Sequence, residues 1–453
     1  MKRRHPKEKV ALESVGPDNR NRRGFLQAGA AAAAAAVTGV GKPAIADPGA
    51  LRSGKDGKSQ DSINIGLVGC GGRGKGALKD NLSINANMRV IALADLQLGK
   101  CESAKKLVEA EFPEAAAIKD SDMHEGLDAY KAVLGNKDVD LVMFANSPGF
   151  RPYHIDEAVD AGKHVFAEKP TCVDPAGYHM CVAAHEKARA NGTAIVTGTQ
   201  YRRQANYIGA VNKIRDGAIG DIVSATTRYC AGGVWYRPRL EGMTTVEYQL
   251  LNWMHFIWLS GDQIVEQAVH NIDAMNWVMG SPPESAYGSG GRFTRQQDSQ
   301  MWDSMAVDYV YPGDRVVSFM CRQIPRTKSD NGSVIYGTKG TCTIEAMNGG
   351  SRIVDRNGNQ VWAQEGSIAD AYKQEHKDLV DSILAAKPIV ELLDTADSSL
   401  TAVMGRMACY TGQKVTWDFV TQESKLDLFP KDLRADSSLP ESGHAVPGKT
   451  QLI

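Results

Sequence analysis

What this 453-residue chain has little of narrows its reading first. Its eight cysteines (Cys70, Cys101, Cys172, Cys181, Cys230, Cys321, Cys342 and Cys409) are scattered, and none forms a C-x-x-C pair. That argues against a disulfide framework, which belongs to small secreted domains, and against the close ligand spacing of a structural zinc site. The thiols read as small buried hydrophobes. His179, Cys181 and His185 come nearest to a metal pattern, but they fall on a predicted packing helix, so no metal is expected. A surplus of charge is also missing, the net being −1. Residues 1–46 hold nine Lys/Arg against three acids, a net of +6, which leaves −7 for the rest. A mildly acidic body lacks the concentrated basic surface that nucleic acid requires, and no nucleic-acid partner is expected. Long apolar runs are absent too. The apolar stretch Ala28–Val40 is alanine-rich and short for a bilayer.

That stretch has another meaning. Residues 1–23 are basic and polar, Arg22-Arg23 precede Phe25-Leu26, and Pro43-Ala44-Ile45-Ala46 ends in a small-x-small site. A basic region, a short apolar region and such a site describe a signal peptide over residues 1–46. The arginine pair makes it a twin-arginine signal, with Asn21 where Ser or Thr is usual and Gln27 where Lys is usual. The plainer alternative is an alanine-rich tail. Cleavage is expected after Ala46, leaving no stable membrane span. The export machinery is then an expected partner, and the periplasm the expected location. Residues 47–61 read as a flexible polar linker.

From Ser62 the pattern turns regular. Ile63–Val68 is a buried strand; Gly69, Gly71 and Gly74 make G-x-G-x-x-G, with Gly72 and Arg73 between them; and a helix should follow. Arg89–Ala94 is a second strand ending in Asp95. The glycines let backbone approach a pyrophosphate at a helix N-terminus, and an acid about 20 residues on can take the ribose hydroxyls. Strand, glycine motif, helix, strand and acid in that order point to a dinucleotide. Asp95 would repel a 2′-phosphate, so NAD is expected rather than NADP. Further strands end at Asn146 and at Glu168-Lys169-Pro170; Asp174 and Pro175 cap a helix that Asn191-Gly192 closes. Strands alternating with helices give an α/β, doubly wound parallel sheet over 62–200.

AGKHVFAEKP (161–170), placed after these elements, resembles the Gfo/Idh/MocA family of glucose–fructose oxidoreductases and inositol dehydrogenases. GTQYRR (198–203), NWMHFIWLSGD (252–262), VEQAVHNIDAMNW (265–277) and GRMACYTGQKVTW (405–417) carry the resemblance onward. It implies a C-terminal α+β domain, residues 201–436, with an open, mostly antiparallel sheet, and strand-like segments there agree. Residues 437–453 are expected to be an arm used in assembly, and a homo-oligomer is expected. Asn146 and Glu168 fall at the carboxyl ends of parallel strands, where ligands bind; the resemblance implies that Lys169 meets both substrate and nicotinamide, that the Lys–Pro peptide is often cis, and that His154 lies near the nicotinamide.

Glu266, His270 and Asp273 stand at i, i+4 and i+7, which on one helix is one face. A histidine flanked by carboxylates can be tuned as a general base, although the same spacing also fits a polar helix surface. The family pattern is Asp-x-x-x-His, with Glu266 here replacing the Asp. The resemblance makes His270 the expected base, Lys169 the group that stabilises an alkoxide-like transition state, and Glu266 and Asp273 their support. Arg202, Tyr207, Trp235, Trp253 and His255 are candidate contacts to a sugar. The function expected is an exported NAD-dependent oxidoreductase acting on a sugar or polyol hydroxyl. The twin-arginine route carries folded proteins, so a tightly bound cofactor can leave inside its enzyme. Two alternatives remain: a glycosidase or epimerase that oxidises transiently, and a non-catalytic carbohydrate-binding protein.

Overall fold

The computed structural model describes residues 62–347, 349–440 and 443–453. The expected signal peptide and linker, residues 1–46 and 47–61, lie outside the described residues.

Six short strands form the first sheet: β1 (Ile63–Val68), β2 (Met88–Asp95), β3 (Met123–Glu125), β4 (Leu141–Phe144), β5 (His164–Ala167) and β6 (Ile195–Thr197). They run parallel in the order β3-β2-β1-β4-β5-β6. β4 (LVMF) is buried along its whole length and β1 (INIGLV) nearly so, as expected of strands covered by helices on both faces. The order reverses between β1 and β4, which opens a crevice at their carboxyl ends. Helix Pro175–Asn191 has the expected caps: the Asp174 side chain accepts from the Gly177 N–H, and Gly192 ends it in a left-handed conformation.

The second sheet has nine strands: β7 (Ile222–Ala231), β8 (Ser285–Gly291), β9 (Ser304–Tyr311), β10 (Arg315–Gln323), β11 (Asp330–Gly337), β12 (Gly340–Glu345), β13 (Ser351–Asp355), β14 (Gln360–Gln364) and β15 (Val415–Thr416). The order is β14-β13-β12-β11-β7-β10-β9-β8-β15, antiparallel except for the β7–β10 pair. β9 alternates between buried Met305, Val307, Tyr309 and Tyr311 and more exposed partners, the period-2 pattern of a sheet with one covered face. The sheet's outward face bears exposed Met320, Tyr336 and Val361.

Elements from beyond residue 200 also pack on the first sheet. Helix Ile368–Leu384 packs on helix Gly72–Ile84, and Val390 pairs with Ile195 at the edge of the first sheet. Helix Leu392–Thr411 is buried over most of its length against β8 and helix Pro175–Asn191. The last residues fold back on their own chain. Leu439 is buried beside Phe256 and Trp258, the Trp302 indole N–H donates to the Ala445 carbonyl, and the Ser424 hydroxyl donates to that of Ile453. Val446 and Ile453 in the same stretch stay exposed. Among the described residues no helix is long and apolar enough to cross a membrane, and no group of three or more His, Cys, Asp or Glu is placed to hold a metal.

Candidate active site

A cavity of about 620 Å³ lies at the carboxyl ends of β1, β2, β4 and β5 and reaches across to the second sheet. Its size is ordinary for a ligand site. At one end lie Gly69, Gly71, Gly72, Arg73 and Asp95; at the other, Lys169, Glu266 and His270.

The glycine end is shaped by backbone. Gly69 has φ +93°, and a Cβ on Gly74 would sit 1.9 Å from the Gly69 carbonyl oxygen, so the first turn of helix Gly72–Ile84 closes tightly on the strand end. Gly71 and Gly72 have open space where a Cβ would point, leaving room for a pyrophosphate. Asp95 Oδ2 accepts from the Cys70 N–H at 2.8 Å and Oδ1 from the Gln97 N–H at 3.2 Å, so the carboxylate stands fixed at the tip of β2. Lys100 is 3.5 Å from its Oδ1. Arg73 turns sideways: its Nε donates to Glu168 at 2.6 Å and its guanidinium lies over the Tyr372 ring. Burial, together with Glu168, pushes the nearby Glu375 carboxyl well above the carboxylate range. The buried Asn146 Oδ1 has no partner and its Nδ2 meets His154 Nδ1 at 3.2 Å. His154 stacks on Tyr130, and burial lowers it to about 3, so it stays neutral. These residues fit a dinucleotide: glycine backbone for the phosphates, a fixed acid for the ribose, and an orphaned amide oxygen further along.

The other end depends on a broken helix. Glu266 closes the short helix Gln263–Glu266, and His270 and Asp273 belong to the next, Val269–Met279. The Glu266 carbonyl, which a continuous helix would pair with the His270 N–H, instead accepts from Lys169 Nζ at 2.6 Å. Glu266 Oε1 lies 3.3 Å from the same ammonium, and its other oxygen accepts from the Gln267 amide. The expectation of one helical face carrying all three residues is corrected accordingly. Glu266 faces Lys169 rather than the imidazole. Asp273 turns away from the cavity to hold Arg202 through Nε at 2.9 Å and Nη2 at 2.8 Å, and it accepts from the Ser398 hydroxyl. His270 lines the cavity with its Nδ1 buried and unpartnered. Burial, with the charges of Lys169 and Arg73 nearby, holds it well below the usual histidine range.

Of the sugar-contact candidates, Trp235 and Trp253 line the cavity. Arg202, Tyr207 and His255 do not, because each has a structural engagement elsewhere. Arg202 is paired with Asp273; Tyr207 is buried and stacked on Tyr201; His255 is clamped between Ser299 and the Trp235 carbonyl. Sequence reasoning missed Arg151. Buried at the start of helix Arg151–Asp160, it donates to the carbonyls of Lys169 (2.5 Å), Pro170 (2.8 Å) and Asn146 (2.7 Å), tying together the ends of two strands. Burial lowers it to about 10, against the opposing pull of Glu168 and Glu266. An arginine opening a helix gives no local signal of this. The Lys169–Pro170 peptide is cis.

The family model for the oxidoreductase family, NAD-binding Rossmann fold, of GFO/IDH/MocA matches residues 63–197, and that for the GFO/IDH/MocA C-terminal domain matches 209–343. The chain belongs to the GFO/IDH/MocA oxidoreductase family, and its first domain is the NAD-binding one. It is similar to the inositol 2-dehydrogenase of Acidothermus cellulolyticus, 25% identical over 247 residues, which are 54% of this chain and 62% of that protein. A glycosyl hydrolase family 109 protein 1 of Bacteroides fragilis is 32% identical over 130 residues, 28% of this chain and 27% of its own. The chain thus spans less than two thirds of the length of these curated relatives. The crystal structure of scyllo-inositol dehydrogenase from Lactobacillus casei, with bound NAD(H) and scyllo-inositol, is 18% identical; it covers 78% of this chain and 99% of that one at a TM-score of 0.60. At that identity the likeness is one of fold.

Proposed function

We propose that the chain is an exported enzyme that oxidises a hydroxyl-bearing carbon of a sugar or polyol, using NAD that it keeps tightly bound. The observation that carries this reading is the shared cavity, with a glycine loop and Asp95 at one end and Lys169, Glu266 and His270 at the other. Bound nicotinamide supplies the hydride acceptor. The chain's own residues do the rest. His270, held neutral, takes the hydroxyl proton; Lys169 holds the same oxygen through a charged hydrogen bond and stabilises the negative charge as it develops. Glu266 keeps the ammonium in place through its carbonyl and carboxylate. Mass spectrometry of ligand released from purified protein, followed by a screen of sugars and polyols, tests the reading: NAD and a polyol that reduces it are expected, and a protein purified without NAD that cannot bind it would refute it.

A second reading keeps the same groups but returns the hydride after elimination or inversion, as a glycosidase or epimerase would. The similarity to a glycosyl hydrolase family 109 protein favours it; a full complement of Lys169 and His270 favours net oxidation. Accumulation of NADH with product, against product without net redox change, separates the two.

NAD is proposed over NADP because the fixed Asp95 carboxylate would repel a 2′-phosphate. Asp95→Asn retains an oxygen for the Cys70 N–H while removing the charge. Loss of a charged hydrogen bond should weaken NAD by about tenfold and narrow its advantage over NADP, as titration with both cofactors would show; an unchanged ratio would contradict the assignment.

Export is proposed to follow the twin-arginine route. Arg22→Lys combined with Arg23→Lys should leave the protein in the cytoplasm with its leader uncut, and normal periplasmic recovery of the double variant would exclude that route. Copies are proposed to pair through the outward face of the nine-stranded sheet, where Met320 and Tyr336 are exposed. Sedimentation should give an oligomer that Met320→Glu dissociates; a wild-type monomer would contradict the pairing.

A further inference from the structure

At the mouth of the cavity an irregular segment presents an indole to solvent. Trp235 lines the cavity and is 44% exposed, a large apolar surface left uncovered. The backbone beneath it is tied down by buried groups. His255 Nε2 meets the Trp235 carbonyl at 2.6 Å while its Nδ1 meets the Ser299 hydroxyl at 2.9 Å. Asn252, with 0% exposure, accepts from the Arg237 N–H and donates to the Arg237 carbonyl, both at 2.9 Å. Between them the Tyr236 hydroxyl meets that of Tyr248 at 2.9 Å. Three successive residues are therefore anchored, while the ring of the first remains uncovered. Burying a histidine and an asparagine to hold a surface loop is costly unless their hydrogen bonds are satisfied, and here they are.

The second indole completes the shape. Trp253 also lines the cavity, with its ring centroid 5.7 Å from that of Trp235 and the planes at 58°, so the two make an angled apolar corner at the rim. Lys169, Glu266 and His270 are buried deeper, the Lys169 side chain being 11% exposed. The buried groups and the more exposed indoles thus share one cavity, so a substrate that extends from the buried end toward solvent would pass the indoles. Exposed indole faces suit the apolar C–H face of a pyranose, and an anchored loop loses little freedom on binding.

We infer that the substrate is a glycoside with two rings: one is oxidised at the Lys169–His270 end and the second, a pyranose, stacks in the corner formed by Trp235 and Trp253. This rests on the oxidoreductase reading above and adds its substrate class. It accounts for the placement of His255 and Asn252, which serve as anchors of the platform rather than as sugar contacts.

The test uses the full chain loaded with NAD and matched sugar pairs: D-glucose with cellobiose, D-galactose with lactose, and myo-inositol with galactinol. Within the pair that is oxidised, the two-ring member should have a KM about tenfold lower. Trp235→Ala should raise that KM with little change in kcat, and its cost should be several-fold greater for the two-ring member than for the one-ring member. Quenching of indole fluorescence by the two-ring sugar, lost in Trp235→Ala, reads the corner without turnover. Equal KM values within a pair, or equal losses in the variant, would overturn the inference while leaving the oxidoreductase reading intact. Quenching by two-ring sugars with no reduction of NAD by any member would sustain the corner and refute the oxidoreductase reading instead.

Discussion

Replacing His270 with asparagine is expected to slow reduction of bound NAD by ~10²–10⁴, the usual cost of losing a general base. The substitution keeps a polar side chain in the cavity wall, and the glycine loop and Asp95 are untouched, so NAD should stay bound while the rate falls. The electrostatics add a signature. An ordinary histidine protonates near pH ~6.5 and would stop accepting protons below it. Burial beside Lys169 and Arg73 moves His270 well below that range. The single-turnover rate of the unaltered protein should therefore show no fall as the pH drops through the usual histidine range. A variant with the normal rate, or a wild-type rate that collapses near that pH, would remove His270 from the role of base.

Replacing Lys169 with methionine is expected to cost ~10²–10³ in the same assay, the scale of losing one preorganised donor to a developing oxyanion. Methionine keeps the stem and removes the ammonium. It also leaves the Glu266 carbonyl without its 2.6 Å donor, so a modest loss of stability should accompany the loss of rate. The two substitutions combined should cost less than the sum of their separate effects, because both groups act on one oxygen in one event. Strict additivity would mean that they serve different steps.

How much of this was legible in the sequence depends on how local the signal was. The glycine motif, the acid ending the second strand and the Asp174–Pro175 cap are short-range chemistry, and all three could be read directly. The open second sheet could be read where strands alternate, as in β9. It could not be read in β8, whose SAYGSGG looks like a loop. There a Cβ on Gly288 would lie 2.6 Å from the Cys409 sulfur, so glycine allows helix Leu392–Thr411 to pack close, a constraint set over 120 residues away. The site was half legible for the same reason. Regular spacing put Glu266, His270 and Asp273 on one face, but the helix breaks where the Glu266 carbonyl turns to Lys169, a partner 97 residues distant. Arg202, an obvious candidate for a sugar hydroxyl, is taken by Asp273, and His255 by the loop it anchors. Residue type alone does not distinguish a side chain that meets substrate from one that holds its neighbour.

The most direct test of the account follows the absorbance of the bound nicotinamide in a single turnover, after purified protein carrying NAD is mixed with sugars and polyols. Reduction by at least one of them is expected, at a rate that both Lys169→Met and His270→Asn lower by at least ~10² with NAD still bound. Reduction at the normal rate in either variant, or none by any sugar or polyol in protein that holds NAD, would contradict it.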